Sequence, residues 1–349
     1  MMMSFIIYKA ILCVVVFGLS LFIAMYSTLW ERKFASFLQD RVGPDRAGPW
    51  GILQPLADGG KLFFKEEIVP NVSNKFLFIL GPCLFMITAL MTGVVIPWGK
   101  DVMVNGTTYA LQITDINIGI LYLFGVVSIG VYGIMIGGWA SNNKYALLGA
   151  IRASSQMISY EIAMGLAVIA LVITAGGTLS LREIVEKQDA GLANIVYQPL
   201  GFIIFFICAL AETNRAPFDL PECESELVGG YHTEYSSMKL GLFLFAEYIN
   251  MFISSAIMSA FYFGGYNFPF AHELYNAMGL QEGSVWIALI GFGAFFTKTL
   301  IFISVFMWVR WTLPRFRYDQ LMNLGWKILI PLALVNLAIT SVVMYLVNK

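Results

Sequence analysis

Apolar runs and polar connections alternate along the whole chain. A helix needs about 20 apolar residues to cross a hydrocarbon core of about 30 Å. Eight runs approach or exceed that length, at 5–29, 76–97, 117–139, 157–179, 195–211, 240–262, 285–309 and 328–347. The pattern predicts an all-α integral membrane protein, a single membrane domain over 1–349 with about eight transmembrane helices. The run Phe5 to Trp30 is longer than the roughly 7–15 apolar residues of a signal-peptide core and is read as a retained first span. Connections 30–75, 140–156, 212–239 and 310–327 fall on one side and read as structured inner loops. In the first of them, Leu56 to Glu67 mixes Leu62, Phe63 and Phe64 with Asp58, Lys61, Lys65, Glu66 and Glu67, the signature of an amphipathic interfacial helix. On the other side, Asn105-Gly106 between short β-prone pieces predicts a hairpin. Residues 263–284 read as a loop with one short surface helix. No internal repeat is visible, which argues against the inverted-repeat transporter plan.

Composition narrows the class. At 58% hydrophobic and 12% charged residues, the chain lies outside the soluble range. A formal net charge of -1 and the lack of any basic patch give no reason to expect nucleic acid. The four inner connections hold fifteen Lys and Arg residues, against five on the opposite side: Lys9, Lys100, Arg182, Lys187 and Lys349. The positive-inside bias therefore puts both termini outside and the four polar loops inside. Cys13, Cys83, Cys208 and Cys223 form no CxxC pair, and His232 and His272 are isolated, so the sequence predicts no metal and no redox cofactor on this chain.

The chemistry-bearing residues concentrate on the inner side. Residues 212–234 contain Glu212, Asp219, Glu222, Glu224, Glu226 and Glu234 against the single base Arg215. On a membrane protein such a loop suits proton or cation handling; the competing account is a solvated acidic loop. Glu161, Glu247 and Lys298 fall inside spans and Glu212 closes one, and intramembrane charges are functional candidates because each costs roughly 2–3 kcal/mol or more unless paired or hydrated. Lys298 could form a structural ion pair with a glutamate; three glutamates at similar depth fit a proton path. The first loop brackets Asp45 and Arg46 with Gly43-Pro44 and Gly48-Pro49 turns and interleaves six acids with seven bases, a pattern that fits a folded docking platform. In the last loop Arg310, Arg315, Arg317 and Lys327 read as interfacial anchors, one or two of them available to hold carboxylates of the acidic loop.

Four segments carry a family resemblance: ERKFASFLQDRVGPDRAGPWGILQPLADGGKLFFKE, GWASNNKYALLGAIRASSQMISYE, ETNRAPFDLPECESELVGGYHTEYS and WVRWTLPRFRYDQLMNLGWK. In this order they resemble the inner loops of the H subunit of proton-pumping NADH:quinone oxidoreductase, respiratory complex I, whose mitochondrial counterpart is NADH dehydrogenase subunit 1. The resemblance covers essentially the whole chain. It implies a protein that anchors the peripheral electron-transfer arm and forms much of the quinone-reduction chamber, with ubiquinone or menaquinone as substrate. Iron–sulfur clusters, FMN and NADH would belong to partner subunits.

By position in the matching motifs, Glu31, Arg32, Arg46, Asp58, Lys61 and Arg215 would line the quinone entrance or chamber. Glu212, Glu222, Glu224 and Glu226 would form an acidic funnel. Glu161 and Glu247, with Arg152, would carry charge towards antiporter-like subunits, while Lys298, Arg310 and Arg315 would be supporting charges. Small membrane subunits and lipid are further implied partners. Cys223 stands where the family pattern has glycine, LPEGE. The segment LSLREIVEKQ favours a bacterial inner membrane over a mitochondrion. Two other readings compete: the anchor of a related membrane-bound hydrogenase, and a proton-coupled transporter using the same glutamates.

Overall fold

Helices form wherever hydropathy predicts spans, but their ends follow capping and backbone geometry. The computed structural model describes residues 2–104, 106–189, 191–219, 227–281 and 283–347. Among these residues seven helical runs are long and apolar enough to cross a membrane. They are α1 (Met2–Leu38), α3 (Lys75–Thr92 with its 3-10 extension), α4 (Gly119–Ala140), α5 (Lys144–Thr174), α9 (Ser237–Tyr262), α11 (Val285–Thr312) and a final run. That final run joins α12 (Tyr318–Asn323), a π-helical stretch at Leu324–Leu329 and α13 (Ile330–Val347). The expected span at 195–211 is instead α7 (Asn194–Tyr197) followed by α8 (Pro199–Glu212), a helix of 14 residues. The break falls at Gln198, whose φ of -131° and ψ of 55° lie outside the helical region, and Pro199 then starts the new helix.

The inner connections are shorter than hydropathy suggests. α1 continues through the charged residues Glu31, Arg32 and Lys33 to Leu38. α5 absorbs most of 140–156, because Asn143 caps it at Lys144 by accepting from the Tyr145 amide at 2.9 Å. The amphipathic helix is α2 (Gln54–Phe64), ended by extended backbone at Lys65. On the opposite side, β1 (Val102–Val104) and β2 (Thr107–Tyr109) form the expected hairpin, with Met103 opposite Thr108. The outer segments add α6 (Leu181–Asp189) and α10 (Ala271–Ala277).

α9 is the most buried of the described spans and packs against α1, α2, α3, α8 and α11, while α5 packs against α4, α8 and α13. α3 and α4 make the most extensive helix contact. A Cβ built at Gly81 would lie 2.8 Å from the Gly137 Cα, and one at Gly133 would lie 2.9 Å from the Phe85 nitrogen. Between membrane helices, where lipid is as apolar as leucine, such close packing replaces the hydrophobic drive. Gly81→Leu must push these two backbones apart and should cost about 1–3 kcal/mol. Thermal melting of the detergent-purified protein checks this, and an unchanged melt would show that the two helices part freely.

Candidate functional site

The end of the bundle that carries the four expected inner loops buries a carboxylate between two arginines. Glu31, on the last turns of α1, is 5% exposed, and its carboxylate accepts from the Arg215 guanidinium at 2.6 Å and from the Tyr248 hydroxyl at 3.0 Å. Arg310, from the last turn of α11, completes the cluster as a second ion-pair partner of Glu31. Arg215 is itself buried and stacks on the Tyr248 ring, 3.9 Å from its centroid. Burial opposes the Arg215 charge, but Glu31 outweighs it and holds the guanidinium above its ordinary pKa. Arg215 also interacts with Glu247.

Neighbouring contacts hold the loops that deliver these groups. Arg315 pairs with Asp219 at 3.0 Å, and the Phe316 amide donates to the Pro217 carbonyl. The Gln156 amide of α5 donates to the carbonyls of Ala211, at 2.7 Å, and Phe218, at 2.9 Å, tying the end of α8 to the loop that follows it. The Asn143 amide donates to Glu234 at 2.6 Å, linking the second and third inner connections.

A cavity of about 200 Å³ opens beside the cluster between α1, α2 and α9. Met25, Leu62, Leu244 and Phe245 give it apolar walls, and Arg32, Asp58 and Tyr248 form its polar part. Arg32 and Asp58 pair at 2.7 Å, and Gln54 donates to Asp58 at 3.0 Å. Tyr248 therefore faces both the cavity and Glu31. Lys61 and Arg46 are exposed, and neither makes an ion pair among the described residues.

Two further carboxylates lie within the spans. Glu247 is buried on α9 and accepts from the Tyr231 hydroxyl at 2.7 Å. Tyr231 sits on α5 only because Gly149 lacks a side chain, since a Cβ there would lie 2.7 Å from the Tyr231 nitrogen. Glu161 on α5 accepts from Ser128 of α4 and interacts with the charge of Glu212. Ile158, one turn before it, and Ile162, the next residue, are exposed, so Glu161 lies near an uncovered face of the bundle. Arg152 lies over the Tyr318 ring.

Sequence reasoning grouped residues that the structure separates. Glu31, Arg215 and Arg310 meet, with Glu247 next to them, whereas Arg46 and Lys61 stand apart. Glu222, Glu224 and Glu226 lie outside the described residues. Among the described residues Lys298 pairs with no glutamate; its ammonium donates to the carbonyls of Phe263, Gly265 and Asn267 in the segment after α9. Tyr231, Tyr248, Ser128 and Gln156 were missed, because an uncharged hydroxyl or amide within a long helix or an acidic loop gives no pattern of its own.

The geometry defines a multi-span helical membrane protein with an ion-paired site at one end of its bundle, open to a cleft between spans. A family profile described as NADH dehydrogenase matches residues 10–341. The H subunit of NADH-quinone oxidoreductase numbered 1 in Cytophaga hutchinsonii is 67% identical over 338 residues, 97% of each chain. The H subunit of the Flavobacterium johnsoniae enzyme is 60% identical over 340 residues, 97% of this chain and 96% of that one. NADH-quinone oxidoreductase subunit 8 of Rhodothermus marinus is 47% identical over 315 residues, 89% of each. The chain belongs to the family of the membrane-embedded H subunits of NADH-quinone oxidoreductase.

The buried pair sets a stability test. Arg215→Met leaves Glu31 with one guanidinium fewer, and breaking a buried pair costs about 3–5 kcal/mol. Adding Glu31→Leu should restore a large part of the loss, which thermal unfolding of the two purified variants measures. A single variant that melts with the parent protein would mean that the pair carries no net weight.

Proposed function

We propose that the chain forms much of the quinone-reduction chamber of a respiratory NADH-quinone oxidoreductase and anchors its peripheral arm to the membrane. The observation that carries this reading is the cleft between α1, α2 and α9, apolar along its walls and bordered by Tyr248 of the Glu31–Arg215–Arg310 cluster. A quinone has an apolar tail and a polar head, so its route needs an apolar entrance from the bilayer and polar groups at depth. Arg32, Asp58 and Tyr248 meet the head at the cleft, and Arg46 and Lys61 border its approach. Electrons arrive from an iron–sulfur cluster on a partner subunit, with FMN and NADH further along the peripheral arm. Two electrons and two protons convert the quinone to quinol.

Charge then passes inward along a row of carboxylates. Reduction, or movement of a charged quinone species, changes the field at Arg215, which lies between Glu31 and Glu247. Glu212, Glu222, Glu224 and Glu226 supply the acidic lining. Glu247 and Glu161 carry the change to the α5 face, where small membrane subunits and antiporter-like subunits receive it. In this reading both termini face the periplasm and the protein resides in a bacterial inner membrane, in keeping with the distribution of Lys and Arg. The names of the relatives favour the quinone enzyme over a hydrogenase anchor.

The complex, purified in mild detergent from its native membrane, tests the reading. Inhibitor-sensitive NADH:quinone reduction in a large assembly is expected; a lone chain, or hydrogenase activity without quinone reduction, would overturn it. Glu161→Gln and Glu247→Gln should each lower coupled turnover by about tenfold or more while subunit content is kept. Loss of the assembly in both variants would assign these glutamates a structural role instead.

A further inference from the structure

At the end of the bundle opposite the ion-pair cluster, the short α8 leaves a gap. Fourteen residues rise only about 21 Å, short of a core of about 30 Å. Beside the α8 N-terminus lies a half-open cleft of about 410 Å³, bounded by the end of α5, by α6, by α7 and by the C-terminal half of α13. Ile339 and Val343 form an apolar rail along α13, and both are about half exposed.

The polar side chains at the floor of the cleft bond to protein groups. Gln198 donates to Thr340 at 2.8 Å, Asn336 donates to Gln198 at 3.0 Å, and Asn194 donates to the Phe261 carbonyl at 2.8 Å. The cleft therefore makes no demand for a polar molecule in its interior. Its rim is different. Lys187 of α6 is exposed there, donates to the Ala175 carbonyl at 2.6 Å and has no carboxylate partner among the described residues. Arg182 on the same helix is held by Asp101 and Glu186. An ammonium has three donors, so Lys187 keeps two for a ligand.

We propose that this cleft binds one acyl chain of a membrane phospholipid along Ile339 and Val343, with the lipid phosphate on Lys187. A single apolar chain ending in an anion matches both the dry rail and the unpaired cation. A helix about 10–12 Å across would fit by about one turn only, so a helix from a neighbouring protein is the poorer occupant. The inference rests on these helices crossing a bilayer and not on quinone chemistry.

The test uses the complex purified from its native membrane and a phosphatidylglycerol bearing a photoreactive group at the end of one chain. Labelling should map to the α13 segment at 336–347 and fall by roughly tenfold in Lys187→Glu, as expected for loss of a charge-assisted contact. A diacylglycerol with the same photoreactive chain, lacking phosphate, should label as weakly as the variant does with the phospholipid. Val343→Trp, which fills the cleft and leaves Lys187 intact, should abolish labelling in an assembled complex. Equal labelling by both probes, labelling elsewhere only, or crosslinking of a photoreactive residue at 339 to another polypeptide would each overturn the proposal. Because the readout is labelling, a negative result leaves the quinone reading untouched.

Discussion

One carboxylate organises an end of this helix bundle. Glu31 is carried by the end of the first helix into a site almost free of water, where an unpaired charge would cost several kcal/mol. Its partners come from the third and fourth inner connections and from α9, 184 residues away in the case of Arg215 and 217 in that of Tyr248. Satisfying Glu31 therefore requires the ends of α1, α9 and α11 to converge. Once they do, the secondary contacts follow: Arg315 reaches Asp219, Phe316 meets Pro217, and Gln156 holds the end of α8. The cleft between α1, α2 and α9 is the space left where these helices meet around Tyr248.

The other end of the bundle solves the same problem with backbone. Lys298 lies midway along α11, and its ammonium is satisfied by carbonyls rather than by acids. The turn that presents them needs left-handed backbone at Gly264 and Gly265, with φ of 73° and 54°, which a side chain would strain. Gln188 and Asn194 then bind the backbone around that turn. Carbonyl oxygens accept hydrogen bonds but do not titrate, so the Lys298 contact does not depend on the protonation of a neighbouring acid.

Much of this was legible in the chain. Hydropathy located seven of the eight expected spans, Asn105-Gly106 the hairpin, and the alternation at Leu56–Glu67 the amphipathic helix. Helix ends were less legible, because a hydropathy window stops at the first polar residues while a helix continues until its backbone geometry breaks. α1 thus runs on to Leu38, and α5 begins at its Asn143 cap. Residue types flagged Glu31, Arg215, Glu161 and Glu247, but not their partners. A pair such as Glu31 and Arg215 leaves no periodic trace, and hydroxyls such as Ser128 and Tyr231 announce themselves only through geometry.

The partners divide the carboxylates into two kinds. Glu31 is held by two guanidinium groups that stay charged, so changing its protonation would strand a buried arginine. Glu161 is held by a serine hydroxyl, which can donate to a carboxylate or accept from a carboxylic acid with little rearrangement. Glu247 combines a tyrosine hydroxyl with the field of Arg215 and so stands between the two cases. A carboxylate fixed by two guanidinium groups, one shared between a hydroxyl and the field of a guanidinium, and one bonded to a hydroxyl form a series of decreasing ionic restraint. The proposed relay runs along this series, from the cleft past Arg215 to the α5 face.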